Sequence, residues 1–267
     1  NKMYVDATFT TTFLRNKILD LKGVSPVIHA SLPIVQMEGH PVGAYYGYRM
    51  AGVYQFDDFT WQNGSDPSVP LQDRVYKLKE GRPVPSEGSP RPGDLKFADL
   101  SGPDGKPDGK IDLDYDRTII GDPFPDVSMS LNLNWGWKGI DFNMFWQTVL
   151  GRDMYNQGPM VVPFYNDNGN VWKDMVDKRW TADNPTNRHP RMNYDSKTAN
   201  TRSSYYIYDA SFLRLKNIEL GYTLPVRWTA KLHMSKVRIY AGIQNAWTLT
   251  NFPGWDPERP STNIASE

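Results

Sequence analysis

Between Val127 and Leu150 the chain reads VSMSLNLNWGWKGIDFNMFWQTVL, an alternation with a period of two rather than 3.6. Val127, Met129, Leu131, Leu133, Trp135 and Trp137 alternate with Ser128, Ser130, Asn132, Asn134 and Gly136. After Lys138-Gly139 the pattern resumes in phase with Ile140, Phe142, Met144, Trp146, Thr148 and Leu150. A two-residue hairpin turn at Lys138-Gly139, with Gly at positive φ, sets Trp137 opposite Ile140 and Trp135 opposite Phe142. Leu133 then meets Met144 and Leu131 meets Trp146, so turn and hydrophobic pattern demand the same register. Strands in soluble domains usually run about five or six residues, whereas a tilted strand crossing a bilayer needs about nine to eleven. Each arm here is long enough to cross. On length and aromatic content alone, one face of a soluble sandwich and the wall of a membrane barrel both remain open.

The same period recurs elsewhere. Strands are expected near residues 3–13, 127–137, 140–150, 212–224 and 237–248. Met3, Val5, Ala7, Phe9 and Phe13 share one face of the first. Ile218, Leu220, Tyr222 and Leu224 share one face of the fourth, which Pro225 breaks. Ile239, Ala241, Ile243 and Trp247 share one face of the fifth. The stretches between them are alternately brief and very long. Residues 15–126 and 151–204 are Pro- and Gly-rich, with short strand-like pieces such as Gly43 to Phe56 and one short helix expected within Val171 to Trp180. Outer-membrane barrels have short periplasmic turns and long extracellular loops. With Lys138-Gly139 on the periplasmic side, parity puts 15–126, 151–204 and 251–267 outside and 225–235 in the periplasm. One further descending strand is then expected after Glu267, and a chain that opens at NKMYVDATFT without a signal segment reads as a piece of a longer polypeptide. Long irregular connections count against a compact soluble fold and favour the barrel.

Composition narrows the function. Lys plus Arg and Asp plus Glu balance at 30 each, which argues against a nucleic-acid binder. Absence of cysteine removes disulfides and thiolate metal sites. His29, His40, His189 and His233 lack ligand-like spacing, and no hydrolase, Walker or Rossmann motif occurs. Asp57 and Asp58, as neighbours on a strand, point apart and cannot flank a glycosidic bond. Enzymatic chemistry is not expected.

The strings GHPVGAYYGYRMAGVYQ, PGDLKFADLSG, DRTIIGDPFPD, YIYDASFLRLKNIELGYTLP and VRIYAGIQNAWTLTNFPGWDPE, in this order, resemble the C-terminal part of SusC/RagA-like TonB-dependent transporters. The resemblance runs over nearly the whole chain. It implies an all-β fold, a transmembrane antiparallel β-barrel seen as the C-terminal portion of a large plugged barrel with long extracellular loops. Such barrels have on the order of twenty-two strands and sit in the outer membrane of Bacteroidetes-type Gram-negative bacteria. The resemblance further implies uptake of oligosaccharides or oligopeptides, energised by TonB, with a SusD-like surface lipoprotein as lid. The plug, the TonB box and the closing strand of the family pattern lie outside this sequence. The alternative from another class is a secreted calcium-dependent glycan-binding or adhesion module, in which the Trp135/Trp137 face would be covered by a second sheet.

One acidic stretch, DLSGPDGKPDGKIDLDYDRTIIG from Asp99 to Gly121, has the carboxylate spacing and glycines of an oxygen cage for calcium. The family pattern at this place is close to such a loop, and Asp99, Ser101, Asp108 and Asp112 are the expected ligands. The insert Gly102 to Pro107 departs from it, so a solvated turn held by Asx hydrogen bonds is the competing expectation. Trp135, Trp137 and Phe142 cluster near the hairpin turn, where a lipid-facing aromatic girdle is expected. Tyr205, Tyr206, Tyr208, Trp247 and Trp255 fall near the extracellular side, available either to pack structurally or to stack on a ligand. No substrate-binding residue can be assigned from this pattern.

Overall fold

A computed structural model describes residues 3–29, 32–61, 68–70, 74–156, 158, 171–192, 198–199 and 201–259. The chain forms two compact units. The first comprises Asn1–Lys17, Asp122–Met154 and Tyr208–Pro260, and the second Ile18–Gly121, Tyr155–Ile207 and Ser261–Glu267.

The first unit is built on five long strands: β1 (Tyr4–Phe13), β2 (Val127–Trp137), β3 (Ile140–Leu150), β4 (Phe212–Thr223) and β5 (Arg238–Thr250). They lie side by side in chain order as one antiparallel sheet. The β2–β3 pairing has the register that the hairpin pattern demands, with Trp137 opposite Ile140 and Leu131 opposite Trp146. Both turn residues are left-handed, Lys138 at φ 50° and Gly139 at φ 89°. Two positive φ values in succession twist the turn with the sheet. A side chain at Gly139 would stand 2.8 Å from the Thr223 carbonyl, so glycine is required there for space as well. A short helical connection, Val226–Thr229 followed by Ala230–Leu232, joins β4 to β5.

The pleat sorts the side chains into two faces. Val5, Trp135, Phe142, Leu220 and Ala241 form one row across all five strands, and Phe9, Leu131, Trp146, Leu215 and Trp247 another. On the reverse side run Asp6, Asn134, Asn143, Glu219 and Gly242, then Thr10, Ser130, Gln147, Arg214 and Thr248. The alternation survives one irregularity. Between Leu215 and Asn217 the register shifts against both neighbours, leaving Lys216 as a bulge, while Asn245 on β5 takes a left-handed φ of 50°. Asn tolerates that conformation better than most residues, and the bulge restores the apolar residues of β4 to the apolar face.

In the second unit, residues 15–126 and 151–204 carry the short strands and the short helix expected of them. Most of those residues make one compact body with its own core. Ala44–Tyr48 lies between Arg117–Gly121 and Ile34–Gln36 in a four-stranded sheet completed by Val27–Ile28. Met50–Val53 pairs with Leu95–Phe97, and Phe59–Trp61 with Tyr76–Leu78. The short helix expected within Val171 to Trp180 runs Lys173–Lys178. Tyr45, Tyr48, Val53, Leu95, Phe97 and Ile111 from the earlier stretch enclose a core with Tyr155, Trp180, Tyr205 and Tyr206 from the later one. Backbone N–H groups of the earlier stretch reach across: Val53 donates to Asn187 Oδ1 (3.0 Å), Leu95 to Thr198 Oγ1 (3.1 Å) and Tyr48 to the Arg202 carbonyl (3.1 Å). At Gly47 a Cβ would lie 2.5 Å from that carbonyl, so the approach requires glycine.

Candidate functional site

The polar face of the first unit is a bonded surface rather than a scatter of polar residues. Asn143 Nδ2 donates to Asn132 Oδ1 (2.9 Å) and Asn134 Oδ1 (2.8 Å), while Asn217 Nδ2 donates to Asn143 Oδ1 (2.8 Å). This amide ladder bridges β2, β3 and β4. Each end of it carries charge. At one end Arg238 donates to Asp141 (Nε to Oδ1, 3.1 Å) and to Glu219 (2.6 Å), beside Gly221, where a side chain would collide with Arg238 and Asp141. At the other, Arg214 is buried and gives Nη2 to Asp256 Oδ1 (2.7 Å), Nε to Thr248 Oγ1 (2.8 Å) and Nη1 to Glu258. Lys216, freed from the ladder by the bulge, also reaches Glu258 at 2.6 Å. Arg152 donates to the carbonyls of Pro257 (3.3 Å) and Arg259 (3.1 Å). The chain after β5 is thereby fastened at the Arg214 end of the polar face. Arg214 had no signal in the sequence beyond a charged residue at an inward position of β4.

The apolar face stays uncovered. Phe9 is 63% exposed, Ile243 61% and Leu249 58%, and Val5, Phe13, Leu220 and Ile239 are also exposed. A contiguous apolar surface of this extent is foreign to the water-facing side of a soluble domain. Trp135 and Phe142 face each other on it, with Trp137 beyond them opposite Ile140. Trp247 is on the same face, edge-on to Trp146 at 5.9 Å, so it does not stand among the aromatics of a ligand platform. Tyr205 and Tyr206 are buried in the core of the second unit, and Tyr208 packs edge-on against Phe252. Of the five aromatics expected near one end, Trp255 alone is free of packing of this kind, at 91% exposure.

The acidic stretch folds as a tight turn whose centre is a residue outside the expected ligand set. Asp116 is fully buried, and its two oxygens accept N–H bonds from Leu100 (2.6 Å), Ser101 (3.3 Å) and Asp112 (2.8 Å). Asp99 accepts from Gly109 (2.8 Å), Asp108 from Lys110 (2.9 Å), and Asp112 from Asp114 and Tyr115 (2.9 Å each). Ser101 Oγ points to the Gly102 carbonyl at 3.5 Å. Calcium takes about six to eight oxygens. Among the described residues no group of three or more Asp, Glu or His side chains is arranged to hold a metal ion. The turn stands on Asx-type hydrogen bonds, and the carboxylates at 99, 108 and 112 are spent at least in part on backbone donors. Of the four histidines, His189 bridges Tyr205 Oη (2.7 Å) and Asp174 Oδ2 (3.0 Å).

No family model matches the chain. TonB-dependent receptor P3 of Formosa agariphila is 35% identical over 236 residues, covering 85% of this chain and 20% of that protein. TonB-dependent receptor SusC of Bacteroides thetaiotaomicron is 27% identical over 169 residues, 63% of this chain and 16% of its own length. Among solved structures, that of the RagAB peptide transporter superposes with a TM-score of 0.65 at 20% identity, covering 96% of this chain and 24% of the matched one. The RagAB peptide importer in its closed-closed state gives 0.65 at 21% identity, with 96% and 25% covered. This chain thus spans about a fifth of the length of the first of these receptors. In a barrel of this kind the uncovered apolar face is the membrane-facing exterior and the amide-laddered face lines the interior. By sequence relationship and by fold together, the chain belongs to the SusC-like TonB-dependent receptors, as a transmembrane β-barrel segment.

Proposed function

We propose that this chain is part of the wall of an outer-membrane importer for oligosaccharides or oligopeptides, driven by TonB and covered by a SusD-like surface lipoprotein. The observation that carries the reading is the division of one continuous sheet into an uncovered apolar face and a hydrogen-bonded polar face. A wall of that kind separates hydrocarbon from a wet passage. The residues on it bind and exclude; no covalent step is assigned to them. Trp135, Trp137 and Phe142, near the β2–β3 turn, form part of the aromatic girdle at the periplasmic interface. On the topology read from the sequence, residues 15–126, 151–204 and 251–267 are the extracellular connections, where the lipoprotein and the nutrient arrive.

The test uses the full-length protein in its native membrane. It is tagged, extracted in mild detergent and examined by mass spectrometry for what co-purifies. A stoichiometric surface lipoprotein with a bound oligosaccharide or peptide is the expected result. Recovery from the soluble fraction without a lipoprotein would sink the importer reading and favour the secreted binding module.

A further inference from the structure

The end of the sheet at the β2–β3 turn carries more than aromatic residues. Its last outward row, Trp137, Ile140, Tyr222 and Ile239, runs from β2 to β5. The connection from β4 to β5 leaves from the same end. Thr223 donates its N–H to the Gly139 carbonyl (2.7 Å), and Leu224 donates to the Val237 carbonyl (2.9 Å). Val226 on this connection is 67% exposed and Trp228 53%, with Met234 exposed beside them. The segment is nonetheless ordered from within. Thr229 is buried, its hydroxyl donates to the Val226 carbonyl (3.3 Å), and its own carbonyl accepts from Met234 (3.1 Å).

Cations are interleaved with these apolar groups. Lys138 stands over the Trp137 ring at 4.4 Å and Arg227 over the Trp228 ring at 5.9 Å, while Lys231 and Lys236 are exposed on the connection. Among the described residues none of the four forms an ion pair. The carboxylates at this end are on the interior face and already held. Asp141 and Glu219 both bond Arg238, and Asp6 accepts from Asn134 at 3.4 Å. The surface thus passes from a hydrocarbon-facing row, through indoles, to cations without counter-charges. That order of side chains is the profile of a membrane–water boundary. The row beneath the cations is already in hydrocarbon, so the group that meets them is a lipid headgroup. Their unbalanced positive charge selects a negative one.

We propose that this rim binds the phosphate headgroup of an anionic phospholipid, with Val226 and Trp228 seated among the first carbons of its acyl chains. The proposal needs the barrel in its membrane and neither the importer's nutrient nor its lid. The full-length protein is purified in mild detergent, given equimolar phosphatidylglycerol and phosphatidylcholine with the same acyl chains, and weighed intact by native mass spectrometry. Wild-type protein retains at least about tenfold more phosphatidylglycerol, a modest share of what four basic residues near an anionic surface supply. The triple variant Arg227→Gln/Lys231→Gln/Lys236→Gln loses that preference and keeps its folded band in heat-modifiable gel mobility. Molar salt weakens the preference in the wild type. Arg15→Gln/Lys17→Gln, beyond the opposite end of β1, leaves it unchanged. Equal retention of the two lipids by the wild type overturns the proposal. So does a preference that survives in the folded triple variant or in molar salt, or one that the Arg15/Lys17 control also loses. Displacement of the lipid by inorganic phosphate would mark a plain anion site and overturn it too. A barrel that shows the preference but co-purifies with neither nutrient nor lipoprotein keeps this site and loses the importer reading.

Discussion

Asp116 shows how much one side chain can organise. It holds three backbone N–H groups of a turn that contains five other aspartates, at 99, 104, 108, 112 and 114. Asp116→Ala leaves those donors without a partner at a site closed to water, and a loss of about 3 kcal/mol is expected, read by urea-dependent proteolysis within the second unit. Because the turn is held by its own hydrogen bonds, the same measurement in millimolar calcium and in chelator should give one midpoint; a rise with calcium would restore the cage at Asp99, Ser101, Asp108 and Asp112. Asp174 makes a prediction in pH. Hydrogen bonds from Lys178, His189 and Arg188 hold its carboxyl well below the usual carboxylate range. Its folded value lies below the unfolded one of about 3.9, so its contribution is complete above that value and is lost as pH falls through the folded one. The helix Lys173–Lys178 should stay docked through neutral and mildly acid conditions and loosen only in stronger acid. Asp174→Asn should loosen it already at neutral pH, seen as faster amide exchange of residues 173–178.

Neighbouring positions on a strand make opposite predictions. Leu131 and Ser130 are adjacent in β2 and face opposite sides of the sheet. Leu131→Arg sets a charge against hydrocarbon and should cost about 2–4 kcal/mol, read as loss of the folded band in heat-modifiable gel mobility. Ser130→Arg, on the interior wall, should keep the folded band. The hairpin was legible because a period of two and a two-residue turn leave one register, and both can be checked within Val127–Leu150. The bulge at Lys216 is written only as a phase slip, Leu213 and Leu215 on one side against Ile218 and Leu220 on the other, which a reading of either run alone passes over. The pairing of β1 with β2 was not legible, since its partners lie on either side of the whole Ile18–Gly121 stretch. At the candidate sites the spacing of acidic residues marks Asp99, Asp108 and Asp112, while Asp116 organises its turn through burial, which short-range pattern does not report. Tyr205 and Tyr206, for which a structural role was the favoured expectation, are core residues.

Across the whole molecule, the two units draw on different solvents for their stability. The second has a buried aromatic core in the manner of a water-soluble domain, whereas the first exposes its apolar residues on one side. Leu95, fully buried, makes the distinction testable. Leu95→Ala should cost about 2–5 kcal/mol and render the second unit protease-sensitive, while the sheet keeps its folded gel mobility. The core of that unit is also divided in the chain. Tyr45, Tyr48 and Leu95 come before the β2–β3 hairpin, and Trp180, Tyr205 and Tyr206 come after it. During synthesis the first half of the core is therefore made before its other half exists. The closing contacts, such as Val53 with Asn187, must bridge more than a hundred residues, an entropic cost that grows only slowly with length. The larger consequence is order in time: the core cannot close over Tyr45, Tyr48 and Leu95 until the chain as far as Tyr206 has been made.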